Sequence, residues 1–270
     1  SFGYIQQYGR IESVYDMGSF DFSILGSEGQ LLFYPNKSKV NDYDIVALSY
    51  NLDDNILGVG TTSIGTTLID SHSVSVPKAS ASTTIVSIAN TYQSAKIILE
   101  VTADSENVGN YDEFEFEELN MVHDGTNVEL LDYAEMTTTL NNANVAGFGT
   151  YSAAINGSKV EIDFHPNTGI GTTAVVNALV IANSNQSTTS QSSIDLKHAR
   201  LESRSTNIAA SGSPTAHVVG SYPDAYDAAY FTLQVSDTTN SEYGIAELVV
   251  IDDYDELDGT GETFTTNEYA

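Results

Sequence analysis

The chain of 270 residues has no cysteine, no tryptophan, five prolines and only nine lysine and arginine residues. Without cysteine, disulfide frameworks, thiolate metal sites and cysteine nucleophiles are excluded. The nine basic side chains stand against 37 acidic ones, which gives a formal net charge of −28. Nucleic acid and anionic membrane surfaces are bound through clustered basic residues, so neither is expected as a partner. No apolar run approaches the roughly 20 residues that span a bilayer, so membrane insertion is not expected either.

The chain is rich in apolar residues that recur at every second position, which is the pattern of strands with one buried face. Ile97, Leu99 and Val101 follow this spacing, and so do Phe231, Leu233 and Val235. Apolar residues at helical spacing are rare. A hydrophobic content of 41% is too high for a disordered chain. The sequence therefore predicts an all-β fold.

The sequence contains an internal repeat. The segment Gln30–Asn36 matches Glu161–Asn167 at an offset of 166 − 35 = 131 residues, and later apolar positions align after short insertions at turns. This repeat predicts two tandem β-sandwiches of about 130 residues each, Ig-like or jelly-roll-like in topology. The predicted repeats are residues 1–131 and 132–268, and residues 269–270 are interpreted as the start of a further repeat.

Each predicted repeat has its own candidate core. The large side chains expected to be buried are Ile97, Leu99, Val101, Leu119 and Met121 in the first repeat, and Phe231, Leu233, Val235, Leu248 and Val250 in the second. Burial of a large aliphatic side chain stabilises a fold by roughly 1.5–3 kcal/mol. The alternation slips by one residue at Glu117–Glu118 and again at Ala246–Glu247, which predicts a β-bulge at both places. A strand that is apolar on both faces is the alternative interpretation.

No catalytic residues are predicted. No two of the five histidines have a metal-ligand spacing, and the predicted repeats do not share any of them. Asp70, Ser71 and His72 are the residue types of a hydrolase triad, but adjacent residues of a strand point to opposite faces. A glycosidase needs paired carboxylates in a cleft, whereas the acidic residues here are assigned to strand ends and turns. The chain is therefore expected not to be an enzyme and to need no cofactor.

Two acidic clusters, at residues 112–118 and 252–258, are the best remaining chemical signal. Hard cations prefer several carboxylate oxygens, which makes Asp253, Asp255 and Asp258 candidate Ca²⁺ ligands. The spacing departs from an EF-hand loop, because Leu257 stands where a ligand is expected. The favoured interpretation of both clusters is a solvated acidic face, with no metal site.

Four segments, Tyr15–Phe22, Leu32–Pro35, Gly58–Thr62 and Val122–Thr126, resemble the large repeat-containing virion structural proteins of contractile-tailed phages of marine cyanobacteria. The resemblance covers nearly the whole chain and brings no catalytic motif. It implies a virion component, namely a fibre, tail or capsid-associated protein. Its implied partners are other virion structural proteins and further copies of itself. The alternative is a bacterial extracellular adhesin or surface-filament subunit, located at the cell surface.

Overall fold

The structure is a computed structural model that describes residues 18–25, 28–35, 58–77, 80–105, 112–137, 147–167, 170–184, 190–195, 200–208, 219, 228–237, 239–240, 242–253 and 263–269. All regular elements in these ranges are strands, which confirms the all-β prediction. Within the same ranges, no helix is long and apolar enough to cross a membrane. The strands are β1 (Gly18–Leu25), β2 (Glu28–Pro35), β3 (Gly58–Ile64), β4 (Thr67–Pro77), β5 (Thr83–Ala89), β6 (Tyr92–Ser105), β7 (Asp112–His123), β8 (Val128–Thr137), β9 (Gly149–Asn156), β10 (Lys159–Pro166), β11 (Ile170–Ser184), β12 (Ser190–Asp195), β13 (Arg200–Ser205), β14 (Ala228–Asp237), β15 (Glu242–Asp253) and β16 (Thr263–Tyr269).

The described strands form five sheets. The largest has six strands in the order β3-β4-β11-β6-β7-β8, and a three-stranded sheet has the order β5-β10-β9. Strands β1 and β2 form one hairpin, and β12 and β13 form another. All neighbours in these four sheets are antiparallel. Strands β14, β15 and β16 make the fifth sheet, in that order.

The six-stranded sheet and the β5-β10-β9 sheet share one apolar core and form a nine-stranded β-sandwich. Alternate residues of β6 and β11 face alternate residues of β5 and β10 across this core. Its largest members include Phe148, Phe164 and Ile162, each of which is at most 1% exposed. At roughly 1.5–3 kcal/mol for each large side chain, such a core holds the sandwich together without a disulfide.

The chain divides into two compact units. One comprises residues 1–48, 224–231 and 248–269, and the other comprises residues 49–223, 232–247 and 270. The predicted repeat boundary between residues 131 and 132 falls within the second unit and inside β8. Strand β11, from the predicted second repeat, pairs with β4 and β6 from the predicted first repeat. The tandem arrangement of two separate sandwiches is therefore not confirmed.

The core predicted for the first repeat is confirmed. All five of its members are 0% exposed: Ile97, Leu99, Val101, Leu119 and Met121. The core predicted for the second repeat is wrong at Val235, which is 69% exposed. The four other members are half-buried: Phe231, Leu233, Leu248 and Val250. These residues lie in β14 and β15, which belong to a different sheet and contribute nothing to the sandwich core.

The first predicted bulge is wrong for β7, whose buried side chains alternate regularly through Glu115, Glu117, Leu119 and Met121, although a register shift with β8 does occur at this place. The register between β7 and β8 shifts between Phe116 and Glu118, which lie opposite Met136 and Tyr133. One residue of β7 thus stands against two of β8, so the extra residue belongs to β8. The pairing of β7 with β6 runs through the same place without a shift. The second bulge, at Ala246–Glu247, stays a prediction.

Replacing Leu99 of β6 by alanine is expected to lower the free energy of unfolding by about 2–5 kcal/mol. Its side chain is 0% exposed between two sheets, so the cavity cannot close by local relaxation. The matched control is Leu131→Ala, because Leu131 is 51% exposed and its loss should change stability by less than about 0.5 kcal/mol. Equilibrium denaturation in urea measures both, and equal losses would contradict the core assignment.

Candidate functional site

Two glutamates of β7 occupy core-facing positions. Glu115 and Glu117 are in phase with Leu119 and Met121, and they are only 2% and 4% exposed. Phe114, on the opposite face of the strand, is 41% exposed. The strand therefore points these two carboxyl groups inward and this phenylalanine outward. The predicted solvated acidic face is wrong for Glu115 and Glu117.

The two glutamates lie where the edges of the two sandwich sheets meet. Strand β8 ends the six-stranded sheet, β9 ends the three-stranded sheet, and the two strands are in contact. Asp132 and Glu135 of β8 are exposed at this junction. Tyr151 of β9 packs against the core, with its ring centroid 5.3 Å from that of Phe164. The group Glu115, Glu117, Asp132, Glu135 and Tyr151 is called the acid cluster below.

Glu115 is anchored to the loop that enters β9. The backbone N–H of Phe148 donates a hydrogen bond of 2.8 Å to its Oε2. The preceding residue, Gly147, has a φ of 66°. A Cβ on Gly147 would lie 2.6 Å from Oε2 of Glu115 and 2.8 Å from Oε1 of Glu135. Glycine is required here, both for the backbone conformation and for the close approach of the loop to two carboxyl groups.

Glu117 lacks such an anchor at one oxygen. Its Oε2 and the hydroxyl of Tyr151 are both buried and make no hydrogen bond of good geometry, but the Glu117 carboxyl group interacts directly with the Tyr151 hydroxyl and with Asp132. Burial raises the pKa of Glu117 to about 9, and the neighbouring Asp132 carboxyl adds to the rise. Glu117 is therefore protonated and uncharged at neutral pH, which explains how its carboxyl group can lie in the core without a cation.

Glu115 titrates closer to neutrality. Burial raises the pKa of Glu115 to about 7, the N–H of Phe148 opposes the rise, and the charges of Glu135 and Asp132 add to it. Burial also raises the pKa of Tyr151 well above its usual value, and the nearby glutamates contribute to this rise. The acid cluster thus consists of three inward-facing groups with raised pKa values, Glu115, Glu117 and Tyr151, and two carboxyl groups at the surface, Asp132 and Glu135.

The outer face of the same sheet carries a buried lysine. Lys96 of β6 is 6% exposed, and its Nζ donates to Oε2 of Glu118 at 2.6 Å, to the Tyr133 hydroxyl at 2.7 Å and to Oε1 of Glu247 at 2.8 Å. The Tyr133 hydroxyl also donates to Oε1 of Glu247 at 2.6 Å. Burial opposes the charge of Lys96, but these three bonds raise the pKa of Lys96 above its usual value. The cluster attaches Glu247, which belongs to the same compact unit, to the sandwich and is structural in character.

The three residues of the triad type are placed as expected. Oδ2 of Asp70 lies 3.1 Å from Nε2 of His72, and both side chains are buried on one face of β4. Ser71 lies on the other, exposed face and donates to the carbonyl of Gly60. The Thr61 hydroxyl donates to Asp70 instead of the imidazole, so it is not activated as a nucleophile. The prediction that these residues form no triad is confirmed.

The predicted Ca²⁺ ligands fall largely outside the described residues. Asp253 is the last residue of β15, whereas Asp255 and Asp258 are not described, so the Ca²⁺ site stays a prediction. Within the ranges that the structure describes, no group of three or more His, Asp or Glu side chains could hold a metal ion. The acid cluster, too, does not have the arrangement of a metal site.

The acid cluster can hold and release protons next to surface carboxyl groups. A general acid must come within hydrogen-bond reach of the atom that it protonates. With exposed fractions of 2% and 4%, Glu115 and Glu117 cannot touch a sugar ring in this conformation. Asp132 and Glu135 can do so, since both are exposed.

No protein-family model and no curated protein matches the chain. One partly similar solved structure is the tailspike protein of the Acinetobacter baumannii phage AM24, with a TM-score of 0.31, 7% identity, and coverage of 44% of this chain and 26% of that one. Another is a tailspike protein of the A. baumannii bacteriophage Fri1, described as a capsular polysaccharide depolymerase, with a TM-score of 0.29, 11% identity, and coverage of 49% and 20%. The matched region is a small part of both tailspikes. Scores this low assign neither the fold nor the activity of this chain.

The prediction that the chain is not an enzyme is corrected. Its premise fails because Glu115 and Glu117 form a buried pair of carboxyl groups within a strand and do not lie at strand ends or turns. One of the partly similar tailspikes is also described as a depolymerase. Sequence reasoning placed these acids on the surface because it interpreted the whole acidic cluster at residues 112–118 as a solvated face. The signal that would have found them is their even spacing from Leu119 and Met121.

Replacing Lys96 by methionine is expected to lower the free energy of unfolding by about 3–5 kcal/mol, because Glu118 and Glu247 would lose their counter-charge while partly or fully buried. In the double variant Lys96→Met with Glu247→Gln, part of the lost free energy of unfolding should be recovered, because one of the two uncompensated carboxylates is removed. The matched control is Lys159→Met, because Lys159 is exposed and its loss should cost less than about 0.5 kcal/mol. A double-mutant cycle from chemical denaturation measures the coupling, and additive effects would show that the cluster does not act as a unit.

Proposed function

We propose that the chain is a tail-associated component of a phage virion that works through strand-edge contacts in particle assembly or at the host surface. The observation that carries the proposal is the exposed edge strand β3. It ends the six-stranded sheet, and Gly60, Thr61, Thr62 and Ser63 are exposed along it. An edge strand presents unpaired backbone groups that can pair with another chain.

The two edges of the six-stranded sheet differ in a way that supports this role. Strand β8 carries Glu129, Asp132 and Glu135 and a register shift, which are devices that prevent unwanted strand pairing. Strand β3 has none of these, because its sequence GVGTTSI contains no charged residue and no proline. In a chain with a net charge of −28, an uncharged edge is the place where another acidic subunit meets least repulsion.

The virion assignment itself rests on the resemblance of four segments to phage structural proteins. Two of these segments have exposed residues on the sandwich, namely Gly60–Thr62 in one and Gly125–Thr126 in the other. Gly58–Thr62 forms most of β3, and Val122–Thr126 includes the turn between β7 and β8, where the backbone N–H groups of Thr126 and Asn127 donate to Oδ1 of Asp124. Residues at such positions serve contact better than core packing.

Placing Thr62→Glu in the gene within its phage is expected to abolish incorporation of the chain into particles, because a charge at the edge opposes strand pairing. The matched control is Thr150→Glu, which changes an exposed threonine of β9 and should leave incorporation unchanged. Immunoblots of purified particles and immunogold labelling of tails measure the outcome. Equal incorporation of both variants would overturn the role of β3, and labelling of bacterial cell surfaces instead of particles would favour the adhesin alternative.

Polysaccharide cleavage is a second candidate function, favoured by the acid cluster. The acid cluster places Glu117, whose raised pKa of about 9 keeps it protonated at neutral pH, beside the exposed Asp132. Glycoside hydrolysis requires a proton-bearing acid and a second carboxyl group at least about 5 Å apart, on either side of the sugar. Glu117 and Asp132 are in hydrogen-bonding contact, so β8 and β9 must first move apart for a sugar to enter between these two groups.

If this second function holds, purified chain incubated with the host's surface polysaccharide should release reducing ends, and Asp132→Asn should lower the rate by at least about 100-fold. Asp163→Asn is the matched control, because Asp163 lies on β10 and accepts a hydrogen bond from Thr84 outside the acid cluster. Equal rates in Asp132→Asn and the unmodified chain would exclude catalysis by this cluster.

A further inference from the structure

The contact between β8 and β9 closes the sandwich along one side, and we call this contact the seam. From β7, Glu115 and Glu117 project into it, and the N–H of Phe148 binds Oε2 of Glu115. Oε2 of Glu117 and the hydroxyl of Tyr151 are buried in the seam, make no hydrogen bond of good geometry with other groups, and interact with each other. The seam is therefore held by the hydrogen bond to Glu115, by packing, and by the contacts of the protonated Glu117 with Tyr151 and Asp132.

Every titratable group that the described residues bring to the seam is an acid. Strand β7 contributes Glu115 and Glu117, β8 contributes Asp132 and Glu135, and β9 contributes Tyr151. Strand β6 contributes apolar side chains there, since its core-facing positions opposite these glutamates are Leu99 and Val101. Strand β10 contributes Phe164. Lys96 lies on the other face of the sheet, with its ammonium group bound by Glu118 and Glu247.

We propose that the seam is a proton-operated latch, which is closed while Glu115 and Glu117 carry protons and which opens progressively, by separation of β9 from β8, as each of them ionises. With both protons lost, four carboxylates would face each other with no cation among the described groups around them. Two of the four would also be buried, where an unpaired charge is most costly. Movement of β9 away from β8 lets water solvate them.

The direction of the pH dependence follows from the two raised pKa values. In the unfolded chain a glutamate ionises near its ordinary value of 4.5, whereas in the folded chain the pKa is about 7 for Glu115 and about 9 for Glu117. The stability due to the closed seam is therefore fully present below about pH 4.5. It is lost as pH rises through about 7 and then about 9. Surface carboxylates with ordinary pKa values are already ionised above pH 6, so they do not contribute in this window.

The absence of cysteine from the chain provides a direct test. Ala153→Cys places one thiol on β9, at a half-buried position that packs against the core. A disulfide reagent modifies this thiol, and protection is defined as the modification rate in the unfolded chain divided by the rate in the folded chain at the same pH. This ratio cancels the ionisation of the thiol itself, so a fall in protection measures opening of the seam. Protection is expected to fall by at least about 10-fold between pH 6 and pH 9.5.

Two variants locate the effect. With Glu115→Gln and Glu117→Gln added to Ala153→Cys, protection should stay within about twofold over the same range, because no carboxyl group remains to titrate in the core. With Ala178→Cys instead, in the middle of β11 where Ala178 is 1% exposed, protection should not change between pH 6 and pH 9.5, because only the seam opens.

Three results would overturn the proposal. One is constant protection at position 153 across the pH range, and another is an equal fall with the two glutamines present. The third is a parallel fall at position 178, which would mean global unfolding instead of a latch. If the double-glutamine variant does not fold, Glu117→Gln alone decides the matter. Protection at position 153 should then fall in a single step near pH 7, and a fall unchanged from the parent would contradict the latch.

Discussion

The buried face of β6 is the feature on which the other parts of the structure depend. Its residues Ile97, Leu99 and Val101 are 0% exposed, and β6 lies between β11 and β7 in the middle of the six-stranded sheet. Since successive side chains of a strand alternate between faces, the same strand must carry Lys96 to the opposite side. The position of the apolar core thus also places the buried ionic cluster. Through the register of β7 on β6, it places Glu115 and Glu117 at the seam as well.

The chain handles buried polar groups differently on the two faces of this sheet. On the outer face, Lys96 and two glutamates compensate one another through short hydrogen bonds. On the inner face no cation is present among the described neighbours, and the glutamates are accommodated by retaining protons. With nine basic residues against 37 acidic ones, counter-ions from the chain itself are scarce, and protonation is the alternative that burial enforces. An ion pair keeps its charge state over a wide pH range, whereas a protonated carboxyl group makes its surroundings sensitive to pH.

The ends of the six-stranded sheet connect the architecture to the proposed role in a virion. Strand β8 is charged, has a register shift and is covered on one side by contact with β9. Strand β3 is uncharged and is exposed from Gly60 to Ser63, and it contacts the β12–β13 hairpin in addition to β4. An uncharged edge can accept another strand more readily than a charged edge with a register shift, so the proposed function assigns the contacts with other subunits to β3. The seam and the open edge lie at opposite ends of the sheet, so opening of the seam need not disturb contacts made by β3.

Local sequence determined the strand character of the chain, the core face of β6 and several of its turns. Gly125 and Gly157 have a positive φ in the turns that follow Asp124 and Asn156, and such turns depend mainly on the adjacent residues. Strand pairing was not determined locally. Gln30–Asn36 and Glu161–Asn167 are alike, yet β2 pairs with β1, whereas β10 lies between β5 and β9.

The inward face of β7 was not determined locally either. Phe114 and Phe116 alternate as regularly as Glu115 and Glu117, and a period of two allows either set to face the core. Only the register of β7 against β6 buries the glutamates, because that register continues the apolar face of Leu119 and Met121 toward the seam.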